Sequence, residues 1–204
     1  ILAVDTLNSG RISADFFVDC SGFKGVLIQE TLGESLISSD KYLYNDSAVA
    51  IQTPTNLSKK LPSDTVSQAI KHGWVWKIPL GNRFGNGYVY SSKYLSSENA
   101  EEELREHLGV ASRNAKALHL KWKPGRISQH WKRNCLAVGL SQGFLEPLEA
   151  PMLNIIQSTC EGFVSCFEKG GFTNKYQKVF NSEINSITCS GDVASLAPLA
   201  RNVL

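Results

Sequence analysis

Gly73-Trp-Val-Trp-Lys-Ile-Pro79, running on to Asn86-Gly87 and Tyr88-Val-Tyr90, is the stretch on which the reading of this 204-residue chain turns. Trp74, Trp76 and Ile78 alternate with Val75, Lys77 and Pro79, a period of two that specifies a strand. Asn86-Gly87 carries the short-range signature of a hairpin turn, and Tyr88-Val-Tyr90 supplies a return strand. Two indoles on one strand face are either core or the wall of an aromatic pocket.

A second stretch works the same way. Cys135-Leu-Ala-Val-Gly-Leu140 is fully apolar and reads as a buried strand. It runs into a Gly/Pro-broken loop carrying Glu146 and Glu149. From Pro151 the spacing turns helical. Met152, Ile155, Ile156, Thr159, Cys160, Phe163, Val164 and Phe167 form a stripe opposite Asn154, Gln157, Ser158 and Glu161. Pro151 suits a first helical turn, and Gly170-Gly171 ends the helix. A carboxylate between a buried strand end and a helix start has its pKa open to tuning by desolvation, and can then act as an acid or base near neutral pH. The plainer alternative is a pair of acids favouring the helix dipole. Glu149 is the stronger candidate of the two.

Elsewhere the pattern gives further elements. Ile1–Val4 and Ile12–Cys20 read as strands joined at Asn8-Ser-Gly10. Within the second, Ala14–Asp19 is nearly continuously apolar, as in a strand buried on both faces. Cys20-Ser-Gly-Phe-Lys-Gly25 is either a plain turn or a small-residue loop at a strand's carboxyl end, where ligands sit in open α/β sheets. A polar, irregular stretch to Asn45 precedes a strand over Ser47–Thr53. Ser97 caps a helix over Glu98–Leu108 that Gly109 stops. Leu118, Leu120 and Trp122 alternate with His119, Lys121 and Lys123, a half-buried strand. A further helix covers Tyr176–Ile187. The fold class expected is α/β, with a mixed α+β sheet. Residues 1–186 form the central part of one domain, and 187–204 an atypical, loosely structured tail.

With 42% apolar residues, 20% charged and a net charge of +2, the composition is ordinary for a globular domain and sets up no strong global field. A basic block from Arg113 to Arg133, with Trp122 and Trp131 interleaved, reads as a solvated face rather than a nucleic-acid surface. Five cysteines without a C-x-x-C pair point to a reducing, cytoplasmic setting with no disulfide framework. Cys20, Cys135, Cys160 and Cys166 fall in apolar runs and are expected to pack as small hydrophobes. His72, His107, His119 and His130 lack ligand spacing and read as surface or strand histidines, so no metal is assigned. No run of 18 apolar residues is present, so no membrane span is expected. Ile1-Leu-Ala-Val4 reads like a strand entered midway.

At these residues the chain resembles a known family. Gly73–Pro79 matches the W-x-W-x-I-P motif of flavin-dependent halogenases of the tryptophan halogenase family. Gly87-Tyr-Val-Tyr-Ser-Ser92, Asp19-Cys-Ser-Gly-Phe-Lys-Gly25, Asn45-Asp-Ser-Ala-Val-Ala50 and Phe144-Leu-Glu-Pro-Leu-Glu149 continue the likeness, which runs from about Ile1 to Asn185. The resemblance implies part of an FAD-dependent monooxygenase-like fold of the glutathione-reductase type. It implies FAD as cofactor, reduced by a separate flavin reductase. It also implies that O2 and halide yield hypohalous acid, which passes down a tunnel to an electron-rich, indole- or tryptophan-like aromatic. In this resemblance Glu149 maps to the catalytic glutamate. Trp74 and Trp76 map to tryptophans between the flavin and substrate sites. Ser21, Gly22 and Phe23 map near the FAD phosphates and ribityl chain. Met152 and Leu153 map to backbone against the isoalloxazine and the halide.

The chain also departs from the family. The glycine-rich dinucleotide turn and the catalytic lysine after it are absent, which reads as the middle of a larger enzyme, inactive alone. Where the family commonly follows its glutamate with Ser-Thr-Gly, this chain has Ala150-Pro151-Met152. The halide position therefore falls on Pro151 and Met152, and Pro151 has no N–H to donate. Two alternatives stand beside the halogenase reading: an FAD-dependent monooxygenase without halogenation, and a non-catalytic truncated remnant.

Overall fold

In a computed structural model describing residues 1–55, 60–148 and 150–190 (backbone alone at 189 and 190), the chain divides into two compact units. One comprises residues 1–39 and 124–190, the other Asp40–Lys123.

The first unit opens with β1 (Ala3–Thr6) and β2 (Gly10–Ser13), an antiparallel hairpin pairing Ala3 with Ser13. β3 (Phe17–Asp19) follows a bend, so the strand expected over Ile12–Cys20 is two. Asn134 makes the break. Its Nδ2 donates to Asp15 O at 3.1 Å and Ile1 O at 2.7 Å, and its carbonyl accepts the Phe17 N–H at 3.0 Å. Nor is β3 buried on both faces: Phe17 and Asp19 are buried, but Val18 is 53% exposed. The Cys20–Gly25 loop holds a 3-10 turn (Gly22–Lys24), and the stretch expected to be irregular holds a π-helical turn (Val26–Thr31) and β4 (Leu36–Ser38).

The second unit is a five-stranded antiparallel sheet with one helix. Its strands are β5 (Ser47–Pro54), β6 (Val66–Ile70), β7 (Gly73–Leu80) and β8 (Arg83–Tyr90), followed by α1 (Ser97–Leu108) and β9 (Ala117–Lys121). The order across the sheet is β6-β7-β8-β5-β9. The period of two divides each strand. Val49, Ile51, Val75, Tyr88 and Tyr90 share the face that packs on Ala100 and Leu104 of α1. Ser96, one residue before the expected cap, accepts the Asn99 N–H and starts α1. Tyr88 Oη donates to Glu103 at 2.9 Å, tying β8 to the helix.

Two expectations fail here for tertiary reasons. Asn86-Gly87 is not a turn. It lies within β8, and the chain reverses at Gly81-Asn82. The Asn86 amide is buried and donates to Ile51 O at 3.1 Å and Thr53 Oγ1 at 3.0 Å. Partners across the sheet thus override the local turn preference. On β9 the polar residue is the one turned toward the helix: His119 Nε2 lies 2.8 Å from Glu101. Leu118 and Leu120, expected to be inward, are 56% and 39% exposed.

The chain then returns to the first unit with β10 (Gly125–Ile127), β11 (Trp131–Lys132), β12 (Cys135–Ala137) and β13 (Gly143–Phe144). α2 (Pro151–Lys169) and α3 (Gln177–Ser190) follow. β12 lies between β11 and a parallel β3, and β10 lies between β13 and β4. Trp131, fully buried, sits among Phe16, Phe163, Phe167 and Phe180, with ring centroids 4.9–6.2 Å away. That aromatic cluster joins α2 and α3 to the sheet. Of the four cysteines whose side chains are described, only Cys135 is fully buried. Cys20 and Cys160 are exposed, because the apolar runs that hold them present those positions outward. Among the described residues no helix is long and apolar enough to cross a membrane.

Candidate functional site

The loop after β3 is organised by Asp19. Its buried carboxylate accepts the Ser21 N–H at 2.9 Å and the Ser21 hydroxyl at 2.5 Å on one oxygen. The other oxygen accepts the N–H groups of Leu27 at 2.9 Å and Ile28 at 2.8 Å, capping the π-helical turn. Burial works to raise the Asp19 pKa. The Ser21 hydroxyl and the N–H groups of Ile28, Ser21 and Leu27 outweigh it and hold the carboxyl below its ordinary value. The Ser21 hydroxyl also accepts the Val26 N–H at 2.7 Å, so that group is engaged inside the loop. Gly22 has a left-handed φ of 76°, and no atom lies within 4 Å of where a Cβ would stand. Its backbone is open. Phe23 is 45% exposed and meets Phe144 edge-on at 5.9 Å.

On β7, Trp74 is buried and Trp76 half-buried, with ring centroids 6.0 Å apart. They occupy the sheet face away from α1. Across the sheet from Trp76 lies Gly87, and a Cβ there would stand 2.0 Å from the Trp76 ring. The glycine read as a turn residue is therefore the seat of an indole. The spacing of Gly87 from the aromatic strand held that signal.

The segment after β13 is short of free N–H groups. Leu145 and Glu146 are buried, and the Ala150 N–H donates to Pro147 O at 3.0 Å. Ala150 adopts φ 51°, a left-handed conformation that costs a non-glycine residue energy. Pro151 then starts α2, and the N-cap residue Ala150 has no side chain that could cap the helix. The Leu153 N–H donates to Ala150 O at 3.0 Å. Positions 150, 151 and 153 thus have no N–H left for an anion. Met152 is buried and Leu153 is 69% exposed. Glu149 lies outside the described residues.

Among the described residues no group of three or more His, Cys, Asp and Glu side chains is placed to hold a metal ion. His130, read from sequence as a surface or strand histidine, is fully buried. The basic block is partly tied up as well. Lys132 pairs with Glu34 at 2.8 Å, and Arg126 donates to Asn185.

Comparison with known proteins gives a consistent result. The family model for tryptophan halogenase matches residues 1–192. The 7-chloro-L-tryptophan 6-halogenase KtzR of Kutzneria sp. (strain 744) is 41% identical over 182 residues, 89% of this chain and 35% of the relative. The crystal structure of a tryptophan 6-halogenase, SttH, from Streptomyces toxytricini superimposes with a TM-score of 0.85 at 41% identity. That match covers 90% of this chain and 36% of the other. Tar14, a tryptophan C-6 flavin-dependent halogenase (chlorinase) from taromycin biosynthesis, gives a TM-score of 0.85 at 40% identity, with 90% and 37% covered. The chain spans about a third of the length of the relatives it matches.

Proposed function

Because the chain belongs to the tryptophan halogenase family, we propose that it is the central part of a flavin-dependent halogenase acting on an electron-rich, indole- or tryptophan-like aromatic. The observation that carries this reading is the family match across residues 1–192, which takes in the indole strand and the glutamate loop together. The activity belongs to the longer protein. This stretch alone is inactive, because it lacks a glycine-rich phosphate turn.

FAD is the cofactor, and a separate flavin reductase supplies it in reduced form. The open Gly22 backbone and the exposed ring of Phe23 fit a flavin near the β3 loop. Ser21 contributes through its backbone, since its hydroxyl is bound to Asp19 and Val26. Met152 and Leu153 would offer their backbone to the flavin. When bound, reduced FAD supplies, with O2 and halide, the oxidised halogen. The chain's own residues do the rest. Trp74 and Trp76 form an apolar wall that excludes water between the flavin and the substrate. Glu149 orients the halogenating species or takes the proton leaving the ring.

One observation favours a second reading, flavin-dependent oxygenation without halogenation: Pro151 has no N–H for a halide at Pro151 and Met152, and the flanking N–H groups of Ala150 and Leu153 are already engaged. Product mass separates the two. The full-length protein, supplied with reduced flavin, O2, bromide or chloride and an indole, yields a halogenated product. Hydroxylated product or peroxide alone overturns the halogenase reading.

A further inference from the structure

Beside Met152 and Ile155 of α2, the first unit has a small pocket of about 10 Å³, the size that holds one water. His130 and Gln142 line it, and both are buried, at 0% and 1% exposure. Gln142 Oε1 accepts the Thr159 hydroxyl at 3.2 Å, which fixes the amide and leaves Nε2 as its other end. Neither Gln142 Nε2 nor either ring nitrogen of His130 makes a hydrogen bond of good geometry within the protein, although the Asn185 and Gln142 side chains lie near enough to the ring to act on its charge. Buried polar groups are rarely left so, and here two of them share one cavity.

We propose that this cavity is an internal hydration site, in which a single water accepts the Gln142 amide N–H and links it to the His130 ring.

The chemistry selects water over an anion. Burial, together with the charge of Arg126, pushes the His130 pKa down to about 4, against the pull of Asn185, Glu34 and Gln142. The ring is neutral and offers one donor and one acceptor. Water matches either nitrogen; a halide would be repelled by the acceptor. The nearby cation is already engaged, since Arg126 donates to Ile127 O and Asn185 Oδ1. The bridge joins the β10–β11 connection to the turn before β13, and Thr159 carries it on to α2.

A thermal double-mutant cycle on the full-length protein tests the bridge. His130→Phe and Gln142→Met keep volume and remove the polar ends. Each lowers the melting temperature by about 3–6 °C, because its partner is left unpaired. The double variant falls no further than the worse single one. Additive losses overturn the proposal. Crystals of the unmodified protein grown in bromide give a second reading. A water peak about 2.7–3.2 Å from Gln142 Nε2 and a His130 nitrogen supports it. An anomalous bromide peak there, or a direct His130–Gln142 bond with no density between, overturns it. Neither readout uses halogenation, so this site and the proposed activity fail separately.

Discussion

After β3, the Asp19 carboxylate receives two N–H groups from the turn it precedes, and a hydroxyl and an N–H from Ser21. After β13, α2 begins at Pro151 behind Ala150, whose side chain cannot cap it. Both loops leave a strand and enter a helical turn. In the first, the acid is part of the scaffold, and its hydrogen bonds lock the ionised form. In the second, the helix starts by proline geometry and a left-handed Ala150, so no acid is required as a cap. A carboxylate near a strand end is a staple or a reagent according to the donors it receives.

The largest expected effect falls on Glu149, the proposed reagent. In the full-length protein, Glu149→Gln lowers halogenation about 100-fold or more and leaves flavin affinity unchanged. Loss of both together makes position 149 another staple and breaks the contrast. Asp19→Asn reverses the pattern: it removes roughly 3 kcal/mol from the free energy of unfolding in urea. The sign with pH follows from the depressed pKa. The contribution of Asp19 is complete above the usual value of 3.8 and is lost as pH falls through the lower folded value. The acid limb of stability is therefore shallower in Asp19→Asn, and an unchanged limb breaks the assignment.

Smaller effects sharpen the comparison. Replacing Ala150-Pro151-Met152 by Ser-Thr-Gly returns one N–H donor, at position 151, and lowers the halide KM about tenfold, close to one charge-assisted hydrogen bond. No change places the halide elsewhere. Ser21→Ala costs about 1 kcal/mol of stability and changes flavin affinity less than threefold, because the hydroxyl works inside its loop. A larger loss of flavin affinity would assign the hydroxyl to the cofactor.

The strands β7 and β12 and the helices α1 and α2 were legible in the sequence, because periodicity and the punctuation at Gly109, Pro151 and Gly170 are local. What escaped depends on partners far along the chain. Asn86-Gly87 carries every local mark of a turn, yet Trp76 and the carbonyl of Ile51 decide its place. Leu118 and Leu120 look inward until Glu101 draws His119 to that side. The engagement of Ser21, and the pairing of His130 with Gln142 across one cavity, leave no trace in spacing. The family resemblance named the candidate residues; it could not show that the Ser21 hydroxyl was already taken.

In the row Trp76–Gly87–Ala50 across β7, β8 and β5, the indole rests on a residue with no side chain and beside one with a single methyl. Such a floor cannot be trimmed further. At position 87 substitution can only add atoms beneath the ring, so variation there moves in one direction: toward a Trp76 pushed off the strand beside it.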